Sequence, residues 1–160
     1  MNNILLLKKY AISYLSKYNS SKGNLERVLK NKIRKMLLEK KEKFTLYNSI
    51  SSIITDLESK KFINDSAYAD SKIYNFSLQG KSKKFVKSYL IQKYIEKDLI
   101  DETINNFELV NPDWEKESAE IFVRKYRLKP KDINNKEKNL AKMARAGFNY
   151  NISKKILGYD

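Results

Sequence analysis

The sequence predicts an all-α fold, a tandem array of three three-helix repeats that is elongated and curved, on three observations. Its 160 residues include only four glycines and two prolines, too few turn-formers for a many-stranded sandwich or barrel. Apolar residues recur at helical spacing along almost the whole length. The pattern of two helices, a basic helix end, an aliphatic or aromatic residue and a third helix also repeats. Phe44, Ile95 and Phe148 take equivalent places, 51 and 53 residues apart, and Leu90 precedes Ile95 by five residues as Met143 precedes Phe148. A period near 50 residues in a helical chain is the mark of stacked modules, which here span residues 1–61, 62–110 and 111–160. A single nine-helix globule with accidental spacing is the alternative.

Residues 1–10 read as a loose lead-in, with a first helix over Leu7–Tyr18 carrying Ala11, Tyr14, Leu15 and Tyr18. Asn19–Asn24 is a turn in which Ser21 or Asn24 can cap the second helix. That helix shows Leu25, Val28, Leu29, Ile33, Met36 and Leu37 on one face. Residues 39–43 are all charged and read as a solvated break, and Thr45 then caps a third helix with Leu46, Ile50, Ile53, Ile54 and Leu57 inward. Asn64 and Asp65 cap a fourth with Ala69, Ile73 and Phe76 inward, which Gly80 ends in a left-handed turn. The fifth starts near Lys81–Ser82 with Val86, Tyr89 and Leu90 on one face, and the sixth buries Leu99, Ile100, Thr103, Ile104 and Phe107. Asn111-Pro112 starts the seventh, with proline at the first helical position and Trp114, Ala119, Phe122, Val123 and Tyr126 inward. Lys129-Pro130 stops it. Asn135 caps the eighth with Leu140, Met143 and Ala144 inward, Gly147 closes it, and Ile152, Ile156 and Leu157 mark a short ninth.

Composition excludes several function classes. With no cysteine there is no disulfide or thiolate metal site, which points to an intracellular, cytoplasmic protein. With no histidine the commonest general base and metal ligand is missing too. The run Ile4–Leu7 is far too short for a signal or membrane helix. Asp98, Asp101 and Glu102 cluster at a helix start, where acids complement the helix dipole, and lack a glycine-turned calcium loop. Gly80-Lys81-Ser82 lacks the upstream glycine of a phosphate loop. No enzyme, metal or cofactor is expected.

Charge says more. The net charge is +14, which implicates a polyanion. Lysine outnumbers arginine 28 to 5 beside 16 asparagines, a bias that codon drift in an AT-rich genome also produces. Yet residues 95–120 hold nine acids against two lysines, a net of −7, so the rest carries +21. The chain separates its signs. Three basic helix faces result: Arg27, Lys30, Arg34 and Lys35; Lys81, Lys83, Lys84 and Lys87; and Arg124, Lys125, Arg127, Lys129 and Lys131. Any one of them could be only a solvated face, but one per module favours contact with phosphates or an acidic protein surface. Lysine-rich contacts position without reading bases. Tyr14, Tyr68, Tyr89, Phe107, Phe122 and Phe148 lie at or beside apolar stripes, so core packing is favoured over base stacking.

Some of these residues carry a family resemblance. Ala11-x-x-x-Leu15-Ser16-x-Tyr18-x-x-Ser21, then Leu25-Glu26-Arg27-Val28-Leu29, opens the chain. The central Asn64-Asp65-x-x-Tyr68-Ala69, Gly80-Lys81-Ser82, Leu90 and Lys93-Tyr94-Ile95 follow, and Arg145-Ala146-Gly147-Phe148 closes it. Together they resemble the RecX family of recombination regulators over nearly the whole chain, with Lys61 and Tyr94 standing where the family usually has glycine. The resemblance implies tandem three-helix repeats lying along the groove of the RecA–DNA filament. It also implies a regulator that opposes RecA filament growth, ATP hydrolysis, strand exchange and stimulation of repressor self-cleavage. A monomer contacting RecA, and single- or double-stranded DNA through its basic face, is the expected form. The candidate contacts are Arg27, Lys30, Arg34, Lys35, Lys81, Lys83, Lys84, Lys87, Arg124 and Arg127. A plain, non-specific DNA- or RNA-binding protein is the alternative that charge alone supports.

Overall fold

The computed structural model describes residues 2–159, which form an all-helical protein with no strand among them. The helices are α1 (Asn3–Lys17), α2 (Lys22–Lys35), α3 (Lys40–Ser59), α4 (Asp65–Leu78), α5 (Lys83–Gln92), α6 (Lys97–Val110), α7 (Trp114–Lys125), α8 (Lys136–Arg145) and α9 (Tyr150–Leu157). Two compact units are formed. The first runs up to Tyr68 and takes in Lys93–Ile95; the second comprises Ala69–Gln92 and the chain from Glu96 onward.

In the first unit α1, α2 and α3 enclose one core. Leu7 and Ala11 meet Leu25, Leu29 and Ile33 of α2 and Leu46, Ile50, Ile53 and Leu57 of α3. The i, i+4 spacing puts each set on one stripe, and burial of each large side chain contributes about 1.5–3 kcal/mol. Two expected helix starts are corrected. α1 begins at Asn3 rather than Leu7, because the Asn2 side chain accepts from the N–H groups of Ile4 (3.0 Å) and Leu5 (3.4 Å). α3 begins at Lys40 rather than after Thr45, where the Glu39 N–H donates to the Glu42 carboxylate at 3.3 Å. The charged run 39–43 is therefore a capped first turn and not a break. Phe44 consequently lies on the solvent side of α3, 66% exposed, whereas Ile95 and Phe148 are buried. The half-buried Leu38, just before the helix start, holds the place that Phe44 was expected to fill.

The second unit buries Ile73 of α4, Val86 and Leu90 of α5 and Ile100 and Ile104 of α6. Ala119, Phe122 and Val123 of α7 pack with Met143, Phe148, Leu157 and Tyr159. α7 starts at Trp114, two residues beyond Pro112, which sits instead in a turn closed by the Trp114 N–H on the Asn111 carbonyl (3.1 Å). Ala144 is exposed, and Asn139 takes the inward position on α8.

One junction is built twice. Ser21 caps α2 by accepting from the Asn24 N–H, and its hydroxyl also donates to the carbonyl of Lys93, just past the end of α5. Ser82 caps α5 by accepting from the Phe85 N–H (3.1 Å) and donates to the carbonyl of Ala146, just past the end of α8, at 2.8 Å. Both serines are fully buried. Each receiving carbonyl is followed by a residue with positive φ, Tyr94 (60°) or Gly147 (95°). Lys61 also adopts positive φ (61°), as does Gly80 (75°). One hydroxyl thus ends one helix and begins another. Ser82→Ala should cost about 2 kcal/mol, the lost cap and the orphaned Ala146 carbonyl each contributing about 1 kcal/mol. Thermal unfolding checks this, with the exposed Ser88→Ala on the same helix expected to be silent.

Candidate polyanion-binding faces

On α2 the nominated residues Arg27, Lys30, Arg34 and Lys35 are all exposed, opposite the buried Leu25, Leu29 and Ile33. The helix period brings them to one side of the first unit. Lys30 pairs with Glu26 one turn earlier, and Arg27 donates to the Asn24 side chain at 3.2 Å. Among the described residues Arg34 and Lys35 form no ion pair. Both lie in the last turn with Lys32, where cations complement the helix dipole.

The four lysines nominated around α5 divide. Lys83 is bound to Glu108 of α6 at 2.7 Å, and Lys87 faces Asp101 of α6 at 3.6 Å. Such part-exposed pairs add little stability, about 0–1 kcal/mol each, but they offset charge that a phosphate would otherwise meet. Beside them burial raises the Glu115 carboxyl above the usual carboxylate range, with the Lys83 backbone amide and ammonium opposing the shift and Glu108 adding to it. Lys81 turns the other way, its ammonium 4.6 Å from the centre of the Phe85 ring, and Lys84 is exposed. Among the described residues the basic face of this helix is thus one half ion-paired and one half without an ion pair.

Arg124 and Arg127 are exposed at the end of α7. Arg127 holds a positive φ of 52° as the chain turns, and the Leu128 N–H closes the helix on the Val123 carbonyl at 2.9 Å. Near them Lys125 and Lys142 lie 5.9 and 5.2 Å from the Tyr126 ring centre. Lys142 was not singled out from sequence, and Arg145 was read only as part of its glycine turn. Both close α8 and look like ordinary dipole-complementing cations until the helices are placed. Of the aromatic residues expected in cores, Tyr68, Phe122 and Phe148 are buried and Tyr14, Tyr89 and Phe107 half-buried, whereas Tyr18 and Tyr126, just past the ends of their helices, are exposed. Among the described residues no three acids gather as a metal site, and no helix is long and apolar enough to cross a membrane.

No protein-family model matches the chain. It is 27% identical over 158 residues to the Regulatory protein RecX of Myxococcus xanthus (strain DK1622), covering 94% of this chain and 83% of that protein. The crystal structure of RecX from Lactobacillus salivarius superposes with a TM-score of 0.71 at 22% identity, covering 99% of this chain and 96% of that one. A second crystal structure of a regulatory protein RecX gives 0.67 at 20% identity, covering 99% and 74%. The resemblance to the RecX family read from the sequence therefore holds over nearly the whole chain, in sequence and in fold.

Proposed function

We propose that this chain regulates a RecA-type recombinase by binding the groove of the RecA–DNA filament. From there it lowers RecA ATP hydrolysis, strand exchange and coprotease activity. The carrying observation is the near full-length likeness to a protein named as a RecX regulator; the basic faces support it by offering positive charge to a nucleoprotein surface. We read the chain as a monomer of three repeats, bounded at 1–61, 62–110 and 111–160; the same pair of bonds made by Ser21 and Ser82 supports the repeat. It acts by binding rather than by catalysis.

The test is to add the pure protein to RecA hydrolysing ATP on single-stranded DNA. Inhibition well below one protein per DNA-binding site is the expected result. An unchanged rate at stoichiometric amounts sinks the proposal. The net charge of +14 favours a second reading, a non-specific nucleic-acid binder. Such a protein would lose its effect steeply with salt and would act without a recombinase.

A further inference from the structure

Within the second unit the ends of α4, α7 and α8 converge on an open hollow of about 230 Å³. Lys81, Lys125 and Arg145 line it together with Phe85, Phe122 and Tyr126. Among the described residues none of these three cations, nor Lys142, forms an ion pair. Lysines 83 and 87, on the same helix as Phe85, show what pairing looks like in this unit; the cations of the hollow have none. Three of the four sit at or near helix C-termini, and dipole complementation alone could explain residues of that type there. The helix ends, however, are already closed. The Lys81 carbonyl accepts from the Ser118 hydroxyl (2.6 Å) and the Ala146 carbonyl from the Ser82 hydroxyl (2.8 Å). The Phe122 and Val123 carbonyls accept from the N–H groups of Tyr126 and Leu128.

A second hollow, about 290 Å³, is lined by Arg127, Lys129, Lys138 and Lys142 among others. Its one carboxylate, Asp132, is held by the Asn135 side chain at 2.9 Å. Lys142 lines this hollow and lies over the ring of Tyr126, which lines the first. The two are therefore neighbours, with Tyr126 (43% exposed) at their border. Each falls at or below the small end of the range for metabolite pockets, about 300–1,000 Å³. Open, adjoining and basic hollows suit a polyanionic chain passing across them. Aromatic rings set among the cations favour a polyanion that also carries flat apolar groups, and bases stack on such rings whatever their sequence.

We propose that these hollows form one track for single-stranded nucleic acid. Lys81, Lys125, Lys142 and Arg145 meet its phosphates, and Phe85 and Tyr126 take its bases. The lysines that lie over the rings are long and unpaired, so they can swing onto phosphates as bases replace them. The track rests on the regulatory reading above and says where that regulator holds DNA, but it needs no recombinase to be tested.

The full chain is titrated into a labelled oligothymidylate longer than a typical single-strand site of about 4–16 nucleotides. Lys125→Gln/Arg145→Gln should weaken binding about tenfold and lower the slope of log affinity against log salt by about 1.4, two contacts at about 0.7 each. Tyr126→Ala should weaken it about fivefold or more while Tyr126→Phe keeps it, because the ring and not the hydroxyl stacks. Lys154→Gln/Lys155→Gln on α9 is the control for bulk charge and should stay within about twofold, since long-range charge is screened. Lys81→Gln replaces the double variant if that one melts early. The proposal is overturned if the track variants weaken binding no more than the control. It is also overturned if polyglutamate competes as well as the oligonucleotide, or if a duplex binds equally and ignores Tyr126→Ala. Intact oligonucleotide binding with no effect on RecA would leave the track standing and remove the regulatory reading. Inhibition of RecA that survives with the track variants binding normally would do the reverse.

Discussion

Gly147→Val should destabilise the protein by about 4 kcal/mol, the sum of about 1–2 for a side chain in the left-handed region and about 1–3 for overpacking. For a chain of this size that lowers the melting temperature by about 8–16 °C. Gly147 has a φ of +95°, and a Cβ there would lie 2.4 Å from the Ser82 hydroxyl and 3.2 Å from the Lys84 Cβ. Ser82 cannot yield, because it is fully buried and its hydroxyl serves both the α5 cap and the Ala146 carbonyl. A built-in comparison separates strain from clash. Gly158 also has positive φ (71°), but its Cβ would meet the flexible Lys131 side chain, nearest at 3.0 Å. Gly158→Ala should therefore cost only the backbone term, about 1 kcal/mol. Equal losses for Gly147→Ala and Gly158→Ala by thermal or urea unfolding would show that the Ser82 contact does not matter.

That junction shows what a sequence can and cannot reveal here. Ser21, Ser82 and Gly147 all stand out locally, as cap residues and a helix-ending glycine, and each helix they bound exists. Their long-range partners do not stand out. Nothing near Ser82 announces that its hydroxyl reaches Ala146, 64 residues away. The helices were legible wherever apolar residues repeat every three or four positions, as in Leu25, Leu29 and Ile33. They were misjudged where charge replaces that repeat, and over Asn3–Leu6, where the unbroken apolar run from Ile4 hides it. Glu39–Lys43 has no apolar member, so its turn of α3 depends on a backbone-to-carboxylate bond invisible to periodicity.

The basic faces follow the same logic. α2 keeps Arg27, Lys30, Arg34 and Lys35 on one exposed side because a single helix dictates that arrangement. Lys83 and Lys87 were separated from Lys81 by tertiary contacts with Glu108 and Asp101, carboxylates of another helix. The acidic stretch 95–120, noticed only as segregated charge, thus supplies the partners that offset half of the neighbouring basic face. Arg145 and Lys142 gained their interest in the opposite way, by standing beside aromatic rings without an ion pair among the described residues.

The two versions of the serine junction exchange a small residue. In the second unit the position two after the serine is Lys84, and it faces Gly147. In the first unit the position two after Ser21 is Gly23, and it faces Tyr94, the counterpart of Gly147. Each junction thus has room for a single Cβ at this contact, placed on opposite sides. A Cβ on Gly23 would lie 2.5 Å from the Tyr94 Cβ and 2.9 Å from its carbonyl oxygen. Gly23→Ala should cost about 3 kcal/mol through this clash, even though alanine is the better helix former by about 1 kcal/mol. Tyr94→Gly alone should be close to neutral, within about 1 kcal/mol. It removes a side chain that is 52% exposed and relieves a non-glycine residue at φ 60°, at the expense of a more flexible unfolded chain. Combined, Gly23→Ala/Tyr94→Gly should recover more than half of the loss, giving a coupling of about 1.5 kcal/mol or more, well above the roughly 0.5 kcal/mol scatter of independent sites. Recovery stays incomplete because the Tyr94 carbonyl remains near the new methyl group. Lys84→Gly should not rescue Gly147→Ala, since the Ser82 hydroxyl at 2.4 Å is untouched by that change. Additive losses for Gly23→Ala and Tyr94→Gly in chemical denaturation would mean that the two residues do not share this space, and the exchange between the junctions would be coincidence.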